Sequence, residues 1–371
     1  MNQSLIRSAS ALAMLGLVGS TAFAADGFKL RYPLQGSLGG EIAAPLNQPG
    51  WFSSLAVVHI DIDKLSGEDG NHRRLSNSGV IKNPATGAQI GKFDSSATVS
   101  LKQQQTNAAF ILGYAFEDLV GGGRIVASAQ LPYTTQLNRS LTTDNFSFAT
   151  TPPVPSIPAT VATQVEQGVK GTLAAFSKNN TAKVSGQGDA ELSAGWTYAK
   201  DNIKVAAGLA LALPTGDYDA AVGQTVAGAN IGFGNYYTLR PGIALAFSPS
   251  SDWTVGARAS YGLNTRNKDN DIKTGNYVGI DVAAVYKTPI GVIGPHLMYV
   301  DQVTDDTYGD KSSASSKLLG ANRLNIQGAG VVFTTLIPVI DAGLTLSYMT
   351  TMESKNSLSG SFTMVRLTKK F

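Results

Sequence analysis

The chain ends Gly360-Ser361-Phe362-Thr363-Met364-Val365-Arg366-Leu367-Thr368-Lys369-Lys370-Phe371. Thr363, Val365, Leu367 and Phe371 share one face, and Met364, Arg366, Thr368 and Lys370 share the other. Alternation with period two belongs to a strand whose faces meet different surroundings. The edge strand of a soluble sheet is one way to satisfy it. A final strand that closes on a terminal aromatic suits a transmembrane barrel better, because the last strand there pairs with the first and leaves no edge in lipid. Phe371 then reads as the signal taken up by the barrel-assembly machinery at the C-terminal strand. Lys369 interrupts the apolar face and is accommodated if it snorkels to headgroups.

Composition points the same way. Charged residues make up 15% of the 371 and mean hydropathy is +0.01, too polar for a bundle of membrane helices and poor in charge for a cytosolic enzyme. A barrel strand spends half its residues on lipid and half on water, which gives such an average. Cysteine is absent, which removes disulfides, thiolate metal sites and a cysteine nucleophile. The formal charge of +3 comes with no basic run, so nucleic acid is not an expected partner.

Residues 1–24 read as a secretory signal. Arg7 supplies the positive region, Ala9 to Val18 the apolar run, and Ala22-Phe23-Ala24 a small-x-small cleavage site. Residues 25–50 are rich in Gly, Pro and Leu without a period, and read equally as a leader or as a segment tucked into a lumen. Residues 51–371 read as the barrel. Alternation recurs over Trp51–Asp63, Ser95–Tyr114, Arg124–Tyr133, Asp189–Lys200, Ile203–Leu213, Tyr236–Phe247, Trp253–Thr265, Tyr277–Lys287, Gly294–Val303, Arg323–Phe333, Ala342–Met352 and the last strand. That is an antiparallel barrel of about twelve strands, with short and long connections alternating as periplasmic turns and outer loops do. An even count puts both termini in the periplasm of a Gram-negative cell, and a monomer is favoured. Lys64–Asp94 and Gln136–Gly186 read as irregular. Within the second, Val161, Val165, Val169, Leu173 and Phe176 form the stripe of an amphipathic helix in a long outer loop.

Over Trp51–Asp63 the reading sends Phe52, Ala56, Val58, Ile60 and Ile62 to lipid and His59, Asp61 and Asp63 to water. Charges at membrane depth face water or one another. The candidate lumen-facing set is therefore Asp61, Lys102, Arg124, Asp189, Glu191, Lys204, Arg240, Arg258, Asp281, Lys287, Arg323 and Arg366. Both signs occur, which suits pairing across the interior rather than a single-sign ion filter. A barrel this narrow passes small solutes at most. His59 and His296 keep a Ser–His hydrolase in view, although neither Gly-x-Ser-x-Gly nor His-Glu-x-x-His occurs. A structural or adhesive barrel working through its outer loops is a third reading. The acidic stretches Asp269–Asp271 and Asp301–Asp310 lack EF-hand spacing and read as solvated loops, so no metal or cofactor is expected.

An ordered set of motifs carries a family likeness. It comprises Tyr32-Pro33-Leu34, Gly186-Gln187-Gly188-Asp189, Leu213-Pro214-Thr215-Gly216-Asp217-Tyr218, Tyr261-Gly262-Leu263-Asn264-Thr265 with Asp271, Gly275 and Asp281, and Gln302-Val303-Thr304-Asp305-Asp306. The chain resembles the outer-membrane proteins associated with the meta-cleavage pathway of phenol degradation. The resemblance implies a barrel that admits small aromatic or otherwise hydrophobic compounds. It supplies no binding residues, and Gln136–Gly186 departs from the pattern.

Overall fold

The computed structural model describes residues 31, 38, 42, 48–152, 156–179, 181–219, 230–312 and 323–371. The signal segment 1–24 and most of 25–50 lie outside the described residues. The strands are β1 (Gly50–Leu65), β2 (Arg74–Lys82), β3 (Gln89–Val120), β4 (Gly123–Thr151), β5 (Ala182–Gln187), β6 (Glu191–Lys200), β7 (Ile203–Ala212) and β8 (Thr238–Phe247). They continue as β9 (Trp253–Asn264), β10 (Ile272–Lys273), β11 (Tyr277–Thr288), β12 (Gly291–Gln302), β13 (Thr307–Tyr308), β14 (Asn325–Ile337), β15 (Ala342–Lys355) and β16 (Leu358–Lys370). One helix, α1 (Ala159–Asn179), lies between β4 and β5.

Fourteen strands form one sheet, and the β3–β4 ladder closes it on itself. With β2 and β5 as outgrowths, twelve strands go round the barrel, every neighbour antiparallel. The closing seam is the one the last strand calls for: β16 pairs with β1 from Phe52↔Lys370 to Leu65↔Leu358, and the Phe371 N–H donates to the Trp51 carbonyl at 2.9 Å. The turns at the terminal end are tight. Between β3 and β4, Gly121 and Gly122 adopt φ of 59° and 78°, a backbone that glycine enters without steric cost.

Two irregular stretches of the sequence reading are strand instead. β3 and β4 run for 32 and 29 residues, whereas about 9–11 residues cross a membrane. Their far halves, with β2 and β5, project past the long-loop end as an arm. The alternation there is muted because water bathes the outer side, and runs such as Thr142-Thr143-Asp144-Asn145 carry no hydrophobic signal. The α1 stripe does form. Val161 and Val165 pack beside Ile81, Ile157 and Ala162, and Phe176 packs on the apolar group that includes Leu141, Val99 and Leu101.

The outward face is a belt of exposed apolar side chains, among them Leu55, Phe110, Leu131, Leu209, Ile243 and Leu297. So large an apolar surface is a membrane surface. Aromatic pairs stand near the short-turn end, Trp51–Tyr114, Trp196–Tyr198 and Trp253–Tyr286, as in an interfacial girdle.

Candidate functional site in the barrel lumen

The side chains opposite the belt line the interior, and they divide it. Along β1, β15 and β16 the wall is apolar over the outer half, where Val58, Ile60, Ile62, Met349 and Met364 pack together with Leu101 of β3. On β3 the buried Gln103, Gln105 and Asn107 stand opposite Ile62, Ile60 and Val58. Toward the short-turn end a second apolar group gathers Phe52, Ile111, Val126, Val285, Val292 and Val332. The β1 assignment of the sequence reading is thus inverted. Phe52, Ala56, Val58, Ile60 and Ile62 are buried in the lumen, while Trp51, Leu55 and Val57 meet lipid.

The wall from β6 to β12 carries buried ion pairs. Arg240 on β8 reaches Glu191 on β6 at 2.5 Å. On β9, Arg258 donates to Oδ2 of Asp281 through Nε at 3.0 Å and also through Nη2, and Nε2 of His296 stands 3.4 Å from the other oxygen. Asp189, just before β6, accepts from Arg31 at 2.6 Å and from the backbone amides of Gly216 and Phe233.

Arg31 comes from the segment before the barrel. It is fully buried at the long-loop end, donates to the Tyr236 carbonyl at 2.7 Å, and lies 4.1 Å over the Tyr236 ring. Its own carbonyl accepts from the Tyr277 hydroxyl at 2.6 Å. Gly262 makes room for that contact, since a Cβ there would strike the Tyr277 ring. Leu38 and Ile42 are equally buried and belong to the apolar group nearer the short-turn end. The Lys204 ammonium donates to the Ile42 carbonyl at 2.8 Å.

Asp189, Glu191, Lys204, Arg240, Arg258, Asp281 and Arg366 are therefore buried. Arg124 is half-buried at the periplasmic rim and donates to the Phe116 and Glu117 carbonyls. Four expectations need correction. Asp61 and Lys102 are exposed on the outer side of β1 and β3, where the strands have left the membrane and an outward charge costs nothing. Arg323 is exposed before β14 and pairs with Asp305 at 2.7 Å. Lys287 is exposed at the short-turn end of β11. Arg31 escaped the sequence reading, since an arginine in a stretch without period carries no facing signal.

His59 is exposed on the outer face beside Thr106, 3.0 Å from its hydroxyl, away from the interior. His296 and Asp281 form a dyad, but the cross-strand neighbours of His296, Ala283 and Gly330, offer no nucleophile. Gln103, Gln105 and Asn107 link by side-chain amides, and beyond the membrane Arg139 donates to Gln103 from a setting whose burial lowers its pKa to about 10. In the outer loops, burial raises the Asp306 carboxyl to about 6 against hydrogen bonds from Gly275 and Gln302. No group of three or more His, Cys, Asp or Glu placed to hold a metal occurs among the described residues.

A family model described as "Putative MetA-pathway of phenol degradation" matches residues 89–367. No curated protein matches the chain. Among solved structures, an outer membrane channel from Pseudomonas putida F1 is 12% identical, with 88% of this chain and 97% of that one covered at a TM-score of 0.59. The beta domain of a Bordetella autotransporter is 11% identical over 87% and 100% of the two chains, at 0.43. The toluene transporter TodX of P. putida is 12% identical over 99% of each chain, at 0.38. At such identities the first likeness speaks for the fold, and the other two scores are too low to carry more. None of these three proteins is named as an enzyme.

Proposed function

The chain belongs to the family of the MetA-pathway of phenol degradation, and from that premise we propose that it is an outer-membrane channel for small hydrophobic or aromatic solutes. One observation carries the reading: the lumen holds two apolar groups, one with Ile62 and Met349 toward the outer side and one with Phe52 and Val292 near the periplasmic side, with the buried Ser54 and Arg366 between them on β1 and β16. A channel for sugars or ions has no use for such groups, whereas an apolar solute gains from each of them. The opposite wall holds three buried ion pairs, which offset most of its charge and stiffen the barrel, beside the Lys204 ammonium on the Ile42 carbonyl. Family membership and the shared fold of the P. putida F1 outer membrane channel support the same reading.

In this reading residues 1–24 direct export and are removed, and the segment bearing Arg31, Leu38 and Ile42 is a plug bonded to the inner wall. Phe371 is the handle for barrel assembly, and the barrel works as a monomer without cofactor. The test uses cells whose lipopolysaccharide leaflet resists apolar solutes. Radiolabelled toluene should accumulate faster in cells that carry the barrel than in cells without it, while arabinose should not enter refolded proteoliposomes. Equal toluene uptake overturns the reading.

A further inference from the structure

The imidazole of His296 is one of several buried polar groups whose hydrogen-bonding capacity is left over, alongside those of Gln130 and Ser260. It projects inward from β12, is fully buried, and neither ring nitrogen makes a hydrogen bond. Asp281 Oδ1 stands 3.4 Å from Nε2 without making a hydrogen bond, while Oδ2 receives two donors from Arg258, and Nδ1 has no hydrogen-bond partner. Hydrogen-bonded cross-strand partners place His296 in the row Gly256–Ala283–His296–Gly330–Met349–Phe362–Ile60. Ala283 and Gly330 flank it with no side chain long enough to bond or cover the ring. Beyond Gly330 the row is apolar. Two residues along β12 on either side lie Gly294 and Met298, and Val292 and Val332 belong to the apolar group toward the periplasm. His296 therefore sits where the two apolar groups of the wall approach each other, at the edge of the ion-paired wall.

We propose that His296 is a specificity-determining station that hydrogen-bonds the hydroxyl of a small, uncharged, otherwise apolar solute passing through the lumen. The inference rests on the channel reading above and names the class of solute. A buried polar group without a partner is costly, so a solute that supplies the missing bond is favoured over one that cannot. A hydroxyl both donates and accepts, so it satisfies either imidazole tautomer. Arg258 and Asp281 neutralise each other beside the ring, which leaves no net charge for an ionic solute to answer. Met349 and Met298 adapt their shape to the hydrocarbon part.

The test compares p-cresol with toluene, which differ by one hydroxyl. The chain has three histidines, of which His59 and His72 are exposed. In the full-length protein refolded in lipid nanodiscs and labelled with ¹⁵N-histidine, the buried His296 signal is assigned by its loss in His296→Gln. p-Cresol should shift that signal saturably and toluene should leave it in place. In His296→Leu, p-cresol affinity should fall about tenfold, the worth of one hydrogen bond, with toluene affinity unchanged. His296→Gln, which keeps a donor and an acceptor, should restore part of the difference. Equal shifts from both solutes, or none from either, overturn the proposal, and the wild-type titration decides this even if His296→Leu does not fold. Failure of the channel reading appears separately, as toluene uptake that the barrel does not raise.

Discussion

Arg240 and Glu191 meet across β7 because the residues between them on the inner face, Ala210 and Ala212, are too short to intervene. Both partners are buried, so removing one strands a charge in a dry wall, at a cost of about 3–5 kcal/mol, whereas replacing both by leucine is near neutral. Arg240→Ala should lower the urea midpoint of the refolded barrel far more than the Arg240→Leu/Glu191→Leu pair, and equal losses would show that the pair is not the unit that matters. Asp306 carries the pH dependence of the outer loops. Its folded pKa of about 6 lies above the ordinary aspartate value of 3.8, so the folded loop holds its proton more tightly. Its contribution to stability is full below about pH 4 and is lost as pH rises through 6. Hydrogen exchange at outer-loop amides that do not bond Asp306, such as that of Gly309, corrected for intrinsic rate, should therefore be faster at pH 7 than at pH 4, and Asp306→Asn should flatten the difference. These residues also mark what could be read in advance. Glu191, Arg240, Arg258 and Asp281 were legible because apolar neighbours on either side fixed their facing. Asp61 and Lys102 were not, because beyond the membrane the outer side is wet while Ile60, Ile62 and Leu101 pack inward, so the polar face points out rather than in.

At the scale of elements, the seam between β16 and β1 was readable from its pattern alone, since only a closed ladder keeps backbone groups paired in lipid. The arm was not, because its apolar residues, such as Ile81 and Leu141, are spaced among polar runs and pack against α1 and one another rather than against lipid. The seam ends with the Phe371 N–H on the Trp51 carbonyl, beside Lys369, whose ammonium lies 5.8 Å from the Phe371 ring centre. That contact gives Lys369 a place at the interface despite its outward facing. Deleting Phe371 removes the last bond of the closing ladder and the terminal aromatic together. The folded, heat-modifiable fraction in the outer membrane should fall clearly below wild type, while the barrel refolded in detergent should keep its unfolding midpoint within a fraction of a kcal/mol, as for other exposed changes. Wild-type assembly without Phe371 would remove its role as a handle.

For the whole molecule, the division of the interior sets what each wall does. The apolar groups suit the proposed solute; the ion-paired wall holds Arg31, which bonds Asp189, Tyr236 and Tyr277, and the Ile42 carbonyl, which receives Lys204. Arg31 is thus tied at the long-loop end by a charge and Ile42 nearer the short-turn end by its backbone carbonyl, with Leu38 and Ile42 packed on the lower apolar group. Loss of the charged tie should loosen the outer end first, because a backbone carbonyl and an apolar contact still hold the inner one. Arg31→Ala in planar bilayers should therefore raise mean conductance and add brief opening events, and Arg31→Ala/Ile42→Ala should raise it further. The same single variant should leave assembly intact, since the twelve-strand ladder does not use Arg31. A conductance equal to wild type in both variants would mean that ions pass beside the segment and that it fills a part of the lumen the solute does not need.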